Sequence, residues 1–494
     1  MGECINSVSS QKKEIISGVF YTSLAKYSNI AVQIVVTAIL ARLLSPADYG
    51  VVAIATIFIV FFNLLSDIGI GPAIIQFKDL NRNDLSNIFS FTAYVGLIIS
   101  VVFFCCSWII ADYYENDSIV PVCQLLSLTI FFNCLNIVPL NIQYKKKRFK
   151  FLATVALLSQ IVTAVIAIIL ALMSFGVYAL VIQQIVSVTI LFFIIYLQDK
   201  LPLHIRIDIN PLKRIMSFSL FQFLFNIVNY YSRNLDKLLI GKFIGLESLG
   251  QYEKSYRLMM MPLQNLSFAV TPVMQPFFSN YQNDLHAMAE KYKRILELLS
   301  YIGFPLSILL FFTGRELILI FFGGQWEDAI LPFRILALTV GLQILNGTAG
   351  SIYQSANATK QLFISGCCCA FFMVTSFCVS IWGWGTLFAV SIGFLIAQIL
   401  NSVQVFCLLF RTLHYPLRII LKVMVHPLMV TCVIGLSLLL VYYFCVSMPL
   451  ILSLIIKCIA TLLLWYICVN YTGPNRGLVN IIAHKVIKRI HKGQ

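Results

Sequence analysis

The chain has 494 residues, of which 60% are hydrophobic and only 11% are charged, and its mean hydropathy is +0.89. This composition excludes a soluble domain, because apolar runs near the ~20 residues needed to cross a bilayer alternate with short polar joints. The formal net charge of +15 does not indicate nucleic-acid binding, since the charges stand at the ends of apolar runs and no nucleic-acid motif is present.

The apolar runs are predicted to be helices. Backbone polar groups find no water in hydrocarbon, so a spanning chain is either helical or a closed barrel. Runs such as residues 30–40 and 161–172 are too evenly apolar for barrel strands, which alternate over about ten residues. The fourteen predicted spans lie at about residues 18–41, 50–75, 87–111, 119–143, 151–173, 176–198, 214–241, 250–279, 294–313, 329–356, 361–383, 386–410, 423–446 and 449–470.

Lysine and arginine outside these spans fall almost entirely on one side of the membrane. Successive joints place 25 of them on one side and three on the other, namely Arg42, Lys242 and Arg315. Since basic joints stay in the cytoplasm, we predict that both termini are cytoplasmic. The densest basic run, at residues 145–150, either fixes this topology or binds anionic membrane lipid.

The two halves of the chain have similar residues at equivalent positions. A shift of 200 residues superposes Arg42 on Lys242, Gly50 on Gly250, Pro72 on Pro272, and Asn83-Asp84-Leu85 on Asn283-Asp284-Leu285. The shift corresponds to six spans, and an even number of spans keeps the same orientation, so the repeat axis is predicted to run along the membrane normal.

The predicted fold is an all-α integral membrane protein with about 14 transmembrane helices. Two six-helix lobes form a parallel pseudo-two-fold repeat, and two additional helices follow. The N-terminal lobe is predicted at residues 1–198, a basic cytoplasmic linker at 199–213, the C-terminal lobe at 214–410, and the two added spans with a basic cytoplasmic tail at 411–494. Most of the fourteen cysteines lie within apolar runs, where thiols pack as small hydrophobes.

Four short segments carry a family resemblance. Residues 41–50 read ARLLSPADYG, residues 67–71 read DIGIG, residues 233–241 read RNLDKLLIG, and residues 249–252 read LGQY. Together with fourteen spans, this ordered set resembles the Wzx-type polysaccharide and O-antigen flippases of the multidrug/oligosaccharidyl-lipid/polysaccharide exporter superfamily. The likeness is to the subgroup of lipopolysaccharide biosynthesis proteins that includes the colanic acid exporter.

The resemblance implies a flippase of the bacterial cytoplasmic (inner) membrane. Such proteins move an undecaprenyl-diphosphate-linked oligosaccharide between leaflets for surface polysaccharide biosynthesis, and polysaccharide polymerase and assembly proteins are implied partners. No Walker motif and no zinc-type cysteine spacing is present, so we expect no ATP hydrolysis, metal, cofactor or catalytic residue.

Ten ionisable residues fall within the predicted spans, seven of them cations and three of them acids. Charge at this depth is costly and usually faces a cavity or a partner. A cationic cavity would suit a diphosphate head group. The candidate substrate-binding cations are Lys26, Arg233, Lys237, Lys254 and Arg257, and the candidate coupling or ion-pairing acids are Asp67, Asp236 and Glu253. Arg334 is expected to reach the outer interface, and no role is predicted for Lys457.

Two of these groups have a structural and a functional interpretation that the sequence leaves open. Lys26 and Asp67 lie at similar depths, roughly 12 Å into adjacent spans, and form either a structural ion pair or a cavity cation tuned by a carboxylate. Arg233 and Lys237 share a helix face with Asp236 between them. They are either a self-satisfied surface group or a cationic stripe at the interface of the lobes.

The other candidates lie near the outer and middle parts of their spans. Lys254 is placed to snorkel, whereas Arg257 is deeper and favours a cavity. Tyr230 and Tyr231 stand beside Arg233, where a ring can stack on a sugar or populate an ordinary interface.

Two other functional classes compete with the flippase. A membrane polymerase or ligase needs acid–base groups on an external surface, and the external joints are short and carry no pair of histidines. A cation-coupled multidrug exporter of the same superfamily would favour acids in the cavity, whereas the predicted interior has an excess of cations. The drug exporter is the stronger alternative of the two.

Overall fold

The computed structural model describes residues 27–67, 70–77, 79–205, 208, 230, 234–445 and 448–471, and their regular structure is helical, without strands. The predictions for Lys26, Tyr231 and Arg233 lie outside these residues, as does the side chain of Asp67. Contacts group the chain into two compact units, Met1–Gly250 and Gln251–Gln494.

The first unit contains eight described helical segments and the first turn of a ninth. They are α1 (Tyr27–Leu43), α2 (Pro46–Asp67), α3 (Ile70–Gln76), α4 (Arg82–Tyr114), α5 (Ile119–Lys145), α6 (Phe149–Leu172), α7 (Val177–Asp199) and α8 (residues 234–243). Helix α5 is the centre of this unit, because it packs against α2, α3, α4 and α7.

The core of the first unit is apolar and closely packed. Ile74, Ile88 and Val138 are completely buried where α3, α4 and α5 meet. A Cβ built on Gly96 of α4 would lie 2.5 Å from the Cβ of Cys134 on α5, so the two backbones approach closely. Because lipid tails are as apolar as these side chains, close packing rather than exclusion of water holds such helices together.

The second unit continues α9 (Leu246–Ser279) and adds seven helices and a 3-10 turn. They are α10 (Leu285–Phe321), the 3-10 turn Gly324–Ala329, α11 (Ile330–Ala337), α12 (Val340–Ser355), α13 (Thr359–Trp384), α14 (Leu387–Thr412), α15 (Leu417–Cys445) and α16 (Leu450–Tyr471). Helix α10 packs against α11, α12, α15 and α16. A Cβ on Gly341 of α12 would lie 2.9 Å from the carbonyl carbon of Gly303 on α10, so the two backbones approach closely at this crossing.

The aspartates of the Asn-Asp-Leu segments at residues 83–85 and 283–285 both take part in capping a long helix, Asp84 as its third residue and Asp284 as its N-cap. Asn81 and Asp84 form a capping box at the start of α4. Asp284 caps α10, where its Oδ1 accepts a hydrogen bond of 2.9 Å from the backbone N–H of Ala287. The Asn-Asp-Leu echo in the sequence therefore marks the beginning of a long helix in each half.

The described residues contain ten helices long and apolar enough to cross a membrane, or eleven if the pair Gly324–Ala337 and Val340–Ser355, bent by 51°, is one span. These match eleven of the fourteen predicted spans. The predicted first span is described only as the shorter helix Tyr27–Leu43. Much of the seventh lies outside the described residues, and the eighth, α9, is a 34-residue helix rich in polar side chains. The count of fourteen and the lobe boundaries remain predictions.

Candidate functional site

The first turns of α2 and α9 touch through their backbones within the first unit. A Cβ built on Gly50 would lie 1.8 Å from the carbonyl oxygen of Leu246, and one on Gly250 would lie 2.0 Å from the carbonyl oxygen of Pro46. Pro46 and Leu246 begin the two helices, so each glycine packs on the first residue of the opposite helix. The contact is reciprocal, and only glycine leaves space for it.

The start of α2 is fixed by a local hydrogen-bond cycle. The backbone N–H of Ser45 donates to Asp48 Oδ2 at 3.0 Å, and the backbone N–H of Asp48 donates to Ser45 Oγ at 3.2 Å. This cap holds the Pro46 carbonyl where Gly250 meets it. The segment that carries the family resemblance, residues 41–50, therefore builds one side of the contact.

Further polar contacts join α4 to the segment around α8. Lys242 Nζ lies 2.7 Å from Glu115 Oε1 and 5.1 Å from the ring centroid of Tyr113. The hydroxyl of Tyr114 donates to the carbonyl oxygen of Leu238 at 3.3 Å. The hydrogen bond from Lys242 and its positive charge lower the pKa of the exposed Glu115 carboxyl. Lys242, one of the three basic residues predicted on the external side, is thus paired.

Three predicted site residues around α8 are engaged with their surroundings. The hydroxyl of Tyr230 donates to the carbonyl oxygen of Ile57, and its ring stacks on Phe61 with centroids 6.5 Å apart. Asp236 is buried, and its Oδ1 accepts a bond of 2.8 Å from the backbone N–H of Lys237, which is itself half-buried. Tyr230 therefore packs against α2 here, and its contact with sugar stays a prediction.

Lys254 occupies an aromatic site in the second unit. It is 2% exposed, and its Nζ lies 5.2 Å from the ring centroid of Phe322 and 5.3 Å from that of Trp326. Gln251 Nε2 donates to the carbonyl oxygen of Gln325 at 2.9 Å, in the same 3-10 turn as Trp326. Lys254 Nζ thus lies against aromatic faces in the 3-10 turn and at the end of the helix before it.

The neighbours of Lys254 on α9 meet a different environment. Arg257, three residues further on, is exposed, and Glu253 is half-buried. Tyr256 lies edge-to-face with Phe394 of α14, with ring centroids 6.0 Å apart. Of the candidate cations whose side chains are described, Arg257 is the most accessible.

One polar cluster was missed in the sequence. Glu316 on α10 and Lys457 on α16 form a buried ion pair, and Ser453 Oγ donates to Glu316 Oε1 at 2.7 Å. Glu316 was assigned to an external joint, because the predicted span ended at residue 313, whereas α10 continues to Phe321. The sequence contained one sign of this polar cluster. Ser453 and Lys457 are four residues apart and therefore lie on the same helix face.

The sequence matches the family described as "Polysaccharide biosynthesis protein" over residues 39–331. The match covers more than half of the chain and includes the segments that form the contact between α2 and α9. The chain belongs to this family. The resemblance predicted from the sequence is therefore confirmed.

Characterised relatives extend the match. The teichuronic acid biosynthesis protein TuaB of Bacillus subtilis (strain 168) is 27% identical over 348 residues, which are 69% of this chain and 71% of that protein. The lipopolysaccharide biosynthesis protein WzxC of Escherichia coli (strain K12) is 24% identical over 405 residues, which are 80% of each chain.

Solved structures define the fold. The lipid II flippase MurJ, in an inward closed conformation, matches with a TM-score of 0.72 at 15% identity, over 90% of this chain and 97% of that one. An inward-facing multidrug resistance transporter of the MATE family and the MOP superfamily matches with a TM-score of 0.57 at 15% identity, over 78% and 95%. The chain is a multi-pass membrane protein with the fold of this transporter superfamily.

Proposed function

We propose that this protein is a flippase that moves an undecaprenyl-diphosphate-linked oligosaccharide from the cytoplasmic to the outer leaflet of the bacterial inner membrane. The observation that carries the proposal is membership of the polysaccharide biosynthesis family, with relatives named for teichuronic acid and lipopolysaccharide biosynthesis. The similarity of the fold to a lipid II flippase supports it, since that protein is named for a lipid-linked cargo.

The physical task of a flippase is to move a charged head group through a low-dielectric layer. A diphosphate carries negative charge that water no longer solvates there, and fixed cations replace that solvation. In our proposal Lys26, Arg233, Lys237, Lys254 and Arg257 serve this purpose, and the acids Asp67, Asp236 and Glu253 tune them or couple an ion. Because Arg257 is exposed, its guanidinium is the group that we propose contacts the phosphate first. A guanidinium can form bidentate hydrogen bonds to phosphate.

The movement is proposed to be alternating access between two repeats. The backbone contact of Gly50 with Leu246 and of Gly250 with Pro46 supports this, because the glycines place no side chain between the helices. Two helix ends that meet in this way can separate without any change of side-chain rotamer. The proposed cycle closes this contact while the head group enters from the cytoplasm and opens it for release.

A cation-coupled multidrug exporter is the alternative function. The similarity of the fold to a MATE transporter supports this alternative. Seven cations against three acids within the predicted spans disfavour a cationic drug and favour an anionic cargo. An enzymatic role in joining sugars is not proposed. The names of the relatives refer to biosynthesis or transport, and no catalytic motif was found in this chain.

The test is to delete the gene and to measure two quantities together. We expect surface polysaccharide to fall, and the lipid-linked oligosaccharide to accumulate in membranes, as measured by mass spectrometry of extracted lipids. A plasmid copy should reverse both changes. Unchanged surface polysaccharide together with increased sensitivity to cationic dyes would contradict the proposal and favour the drug exporter.

A further inference from the structure

Helix α9 buries an apolar face and exposes a polar one. Within residues 251–266 the exposed side chains are those of Arg257 and Gln264, whereas apolar side chains such as Met259 and Leu263 are buried. Arg257 and Gln264 are seven residues apart, which is close to two helical turns. They therefore lie on the same face of α9, roughly 10 Å from each other along the helix axis.

Helix α16 of the same unit shows the opposite arrangement. Its exposed side chains include Ile455, Ile459 and Leu462, whereas Ser453 and Thr461 are buried. This is the arrangement expected next to lipid, because polar groups within a span usually face the protein or a water-filled cavity. The exposed face of α9 has the reverse composition, so we expect it to face water rather than acyl chains.

Gln264 lies near the middle of α9, which is 34 residues long and corresponds to the eighth predicted span. Because ~20 residues are enough to cross the hydrocarbon layer, the middle of such a helix lies well inside the membrane. An exposed amide at this depth would be costly against lipid, where it finds no hydrogen-bond partner. Its position therefore favours a polar ligand or water as its partner.

The other amide side chains in this part of α9 are bonded within the protein. Gln251 Nε2 donates to the carbonyl oxygen of Gln325 at 2.9 Å, and Asn265 Nδ2 donates to the carbonyl oxygen of Met261 at 2.9 Å. Gln264 is exposed instead. A glutamine amide carries two donors and an acceptor, and a hydroxyl group also donates and accepts, so this side chain suits a ligand rich in hydroxyl groups.

We infer that Gln264 contacts the saccharide part of the lipid-linked cargo, two helical turns from the Arg257 guanidinium that receives the diphosphate. The α9 face matches the cargo in charge, since a fixed cation stands near a neutral amide as the anionic diphosphate stands next to hydroxyl-rich sugars. Because the amide has no charge, it contributes to the choice of sugar rather than to the transfer of phosphate. This inference rests on the proposed flippase function; the exposure of the α9 face to water does not.

The first test asks whether this face of α9 meets water. Gln264→Cys and Ile455→Cys, each in the full-length chain, are treated in opened membranes with a charged maleimide that does not enter lipid. Modification is measured by mass spectrometry of the peptide that carries each new cysteine, so the native cysteines do not interfere. We expect at least about tenfold more modification of Gln264→Cys, because the reactive thiolate is disfavoured in apolar surroundings. Equal modification of the two variants would overturn the inference.

The second test measures how tightly the purified full-length protein binds two lipids, undecaprenyl diphosphate with an attached oligosaccharide and undecaprenyl diphosphate alone. Gln264→Leu should weaken binding of the glycosylated lipid by about threefold to tenfold, the effect of one lost hydrogen bond, and leave binding of the sugar-free lipid unchanged. Gln264→Asn keeps an amide and should recover part of the loss. Arg257→Gln should weaken binding of both lipids, because both carry the diphosphate.

The matched control is Gln76→Leu, at an exposed glutamine of α3, which should bind both lipids as the wild type does. The saccharide contact is overturned if Gln264→Leu binds the glycosylated lipid as tightly as the wild type. It is also overturned if this variant loses affinity for both lipids equally, which would assign Gln264 to the head group. If the wild type binds neither lipid, the proposed flippase function fails, whereas the labelling result still decides whether the α9 face meets water.

Discussion

Lys254 and Arg257 stand three residues apart on α9 and meet opposite environments. The ammonium of Lys254 is buried against Phe322 and Trp326, whereas the side chain of Arg257 is exposed. A buried amino group over aromatic faces is suited to holding the 3-10 turn Gly324–Ala329 in place. An exposed guanidinium within a predicted span is suited to receiving phosphate, so the two cations are expected to fail in different ways when substituted.

Substitution of Arg257 by Gln should abolish export while the protein still inserts. The change removes one fixed positive charge that offsets the transfer of a diphosphate, and we expect surface polysaccharide to fall by about tenfold or more. The measurement is surface polysaccharide normalised to membrane-inserted protein. Arg315→Gln, at an exposed cation near the end of α10, is the matched control and should export normally. Equal export by both variants would remove Arg257 from the site.

The ion pair of Glu115 and Lys242 predicts a pH-dependent stability. Lys242 lowers the pKa of the Glu115 carboxyl from its ordinary value of 4.5. The stabilising contribution is therefore present above that value and is lost as the pH falls through the lowered pKa. Glu115→Gln should lower the thermal unfolding temperature slightly at about pH 7, and this difference should disappear once the pH has fallen below the lowered pKa of Glu115.

The same difference should shrink in high salt, because the carboxylate is exposed. Asp112→Asn, at an exposed acid near the same end of α4, serves as the control and should show no such dependence on Lys242. A difference between wild type and Glu115→Gln that grows on acidification would contradict the assigned pair.

At the scale of helices, the decisive feature is the crossing of α2 and α9 at their first turns. The Cβ distances of 1.8 Å and 2.0 Å are to backbone oxygens, which cannot move aside as a flexible side chain can. A methyl group at either glycine must therefore separate the two helix ends. The effect belongs to the pair of helices, because each glycine packs on the helix that carries the other.

Gly50→Ala and Gly250→Ala should each impair export strongly, by roughly tenfold or more, if closure of this contact is part of the cycle. Gly350→Ala is the matched control, because a Cβ there meets no atom within 4 Å, and it should export normally. Surface polysaccharide is measured relative to protein abundance. Normal export by both Gly50→Ala and Gly250→Ala, at normal abundance, would show that the contact does not need to close.

At the scale of the whole molecule, most of the helices could be predicted from the lengths of the apolar segments. Eleven predicted spans have matching apolar helices, because length and hydropathy alone define such a helix. The sequence also predicts a repeat, in which Gly50 and Gly250 are equivalent at an offset of 200 residues. The contacts of Gly50 and Gly250 with the opposite helix could not be predicted in this way. A repeat makes two positions equivalent but does not imply that they are close in space.

The buried Glu316 was missed for a related reason. A hydropathy window ends a span where a charge appears, and the charged stretch at Arg315 and Glu316 therefore closed the predicted helix early. The helix continues to Phe321, because Lys457 from a helix far along the chain compensates the charge. A partner 141 residues away is a tertiary feature that no local window contains.

The predicted topology has its own test. Reporter fusions after residue 494 and within residues 145–150 should report the cytoplasm, whereas a fusion within residues 111–118 should report the outside. Green fluorescence and alkaline phosphatase activity serve as complementary readouts. An active phosphatase at the C-terminus would reverse the predicted orientation.

The central claim is that an electropositive interior carries a phosphorylated lipid across the membrane. The most direct measurement reconstitutes the full chain in liposomes with a fluorescent undecaprenyl-diphosphate-linked saccharide and follows the label that becomes accessible in the opposite leaflet. The wild type should move the label well above empty liposomes, and Arg257→Gln should reduce the rate by about tenfold or more. Movement no faster than in empty liposomes, or equal rates for the two proteins, would contradict the claim.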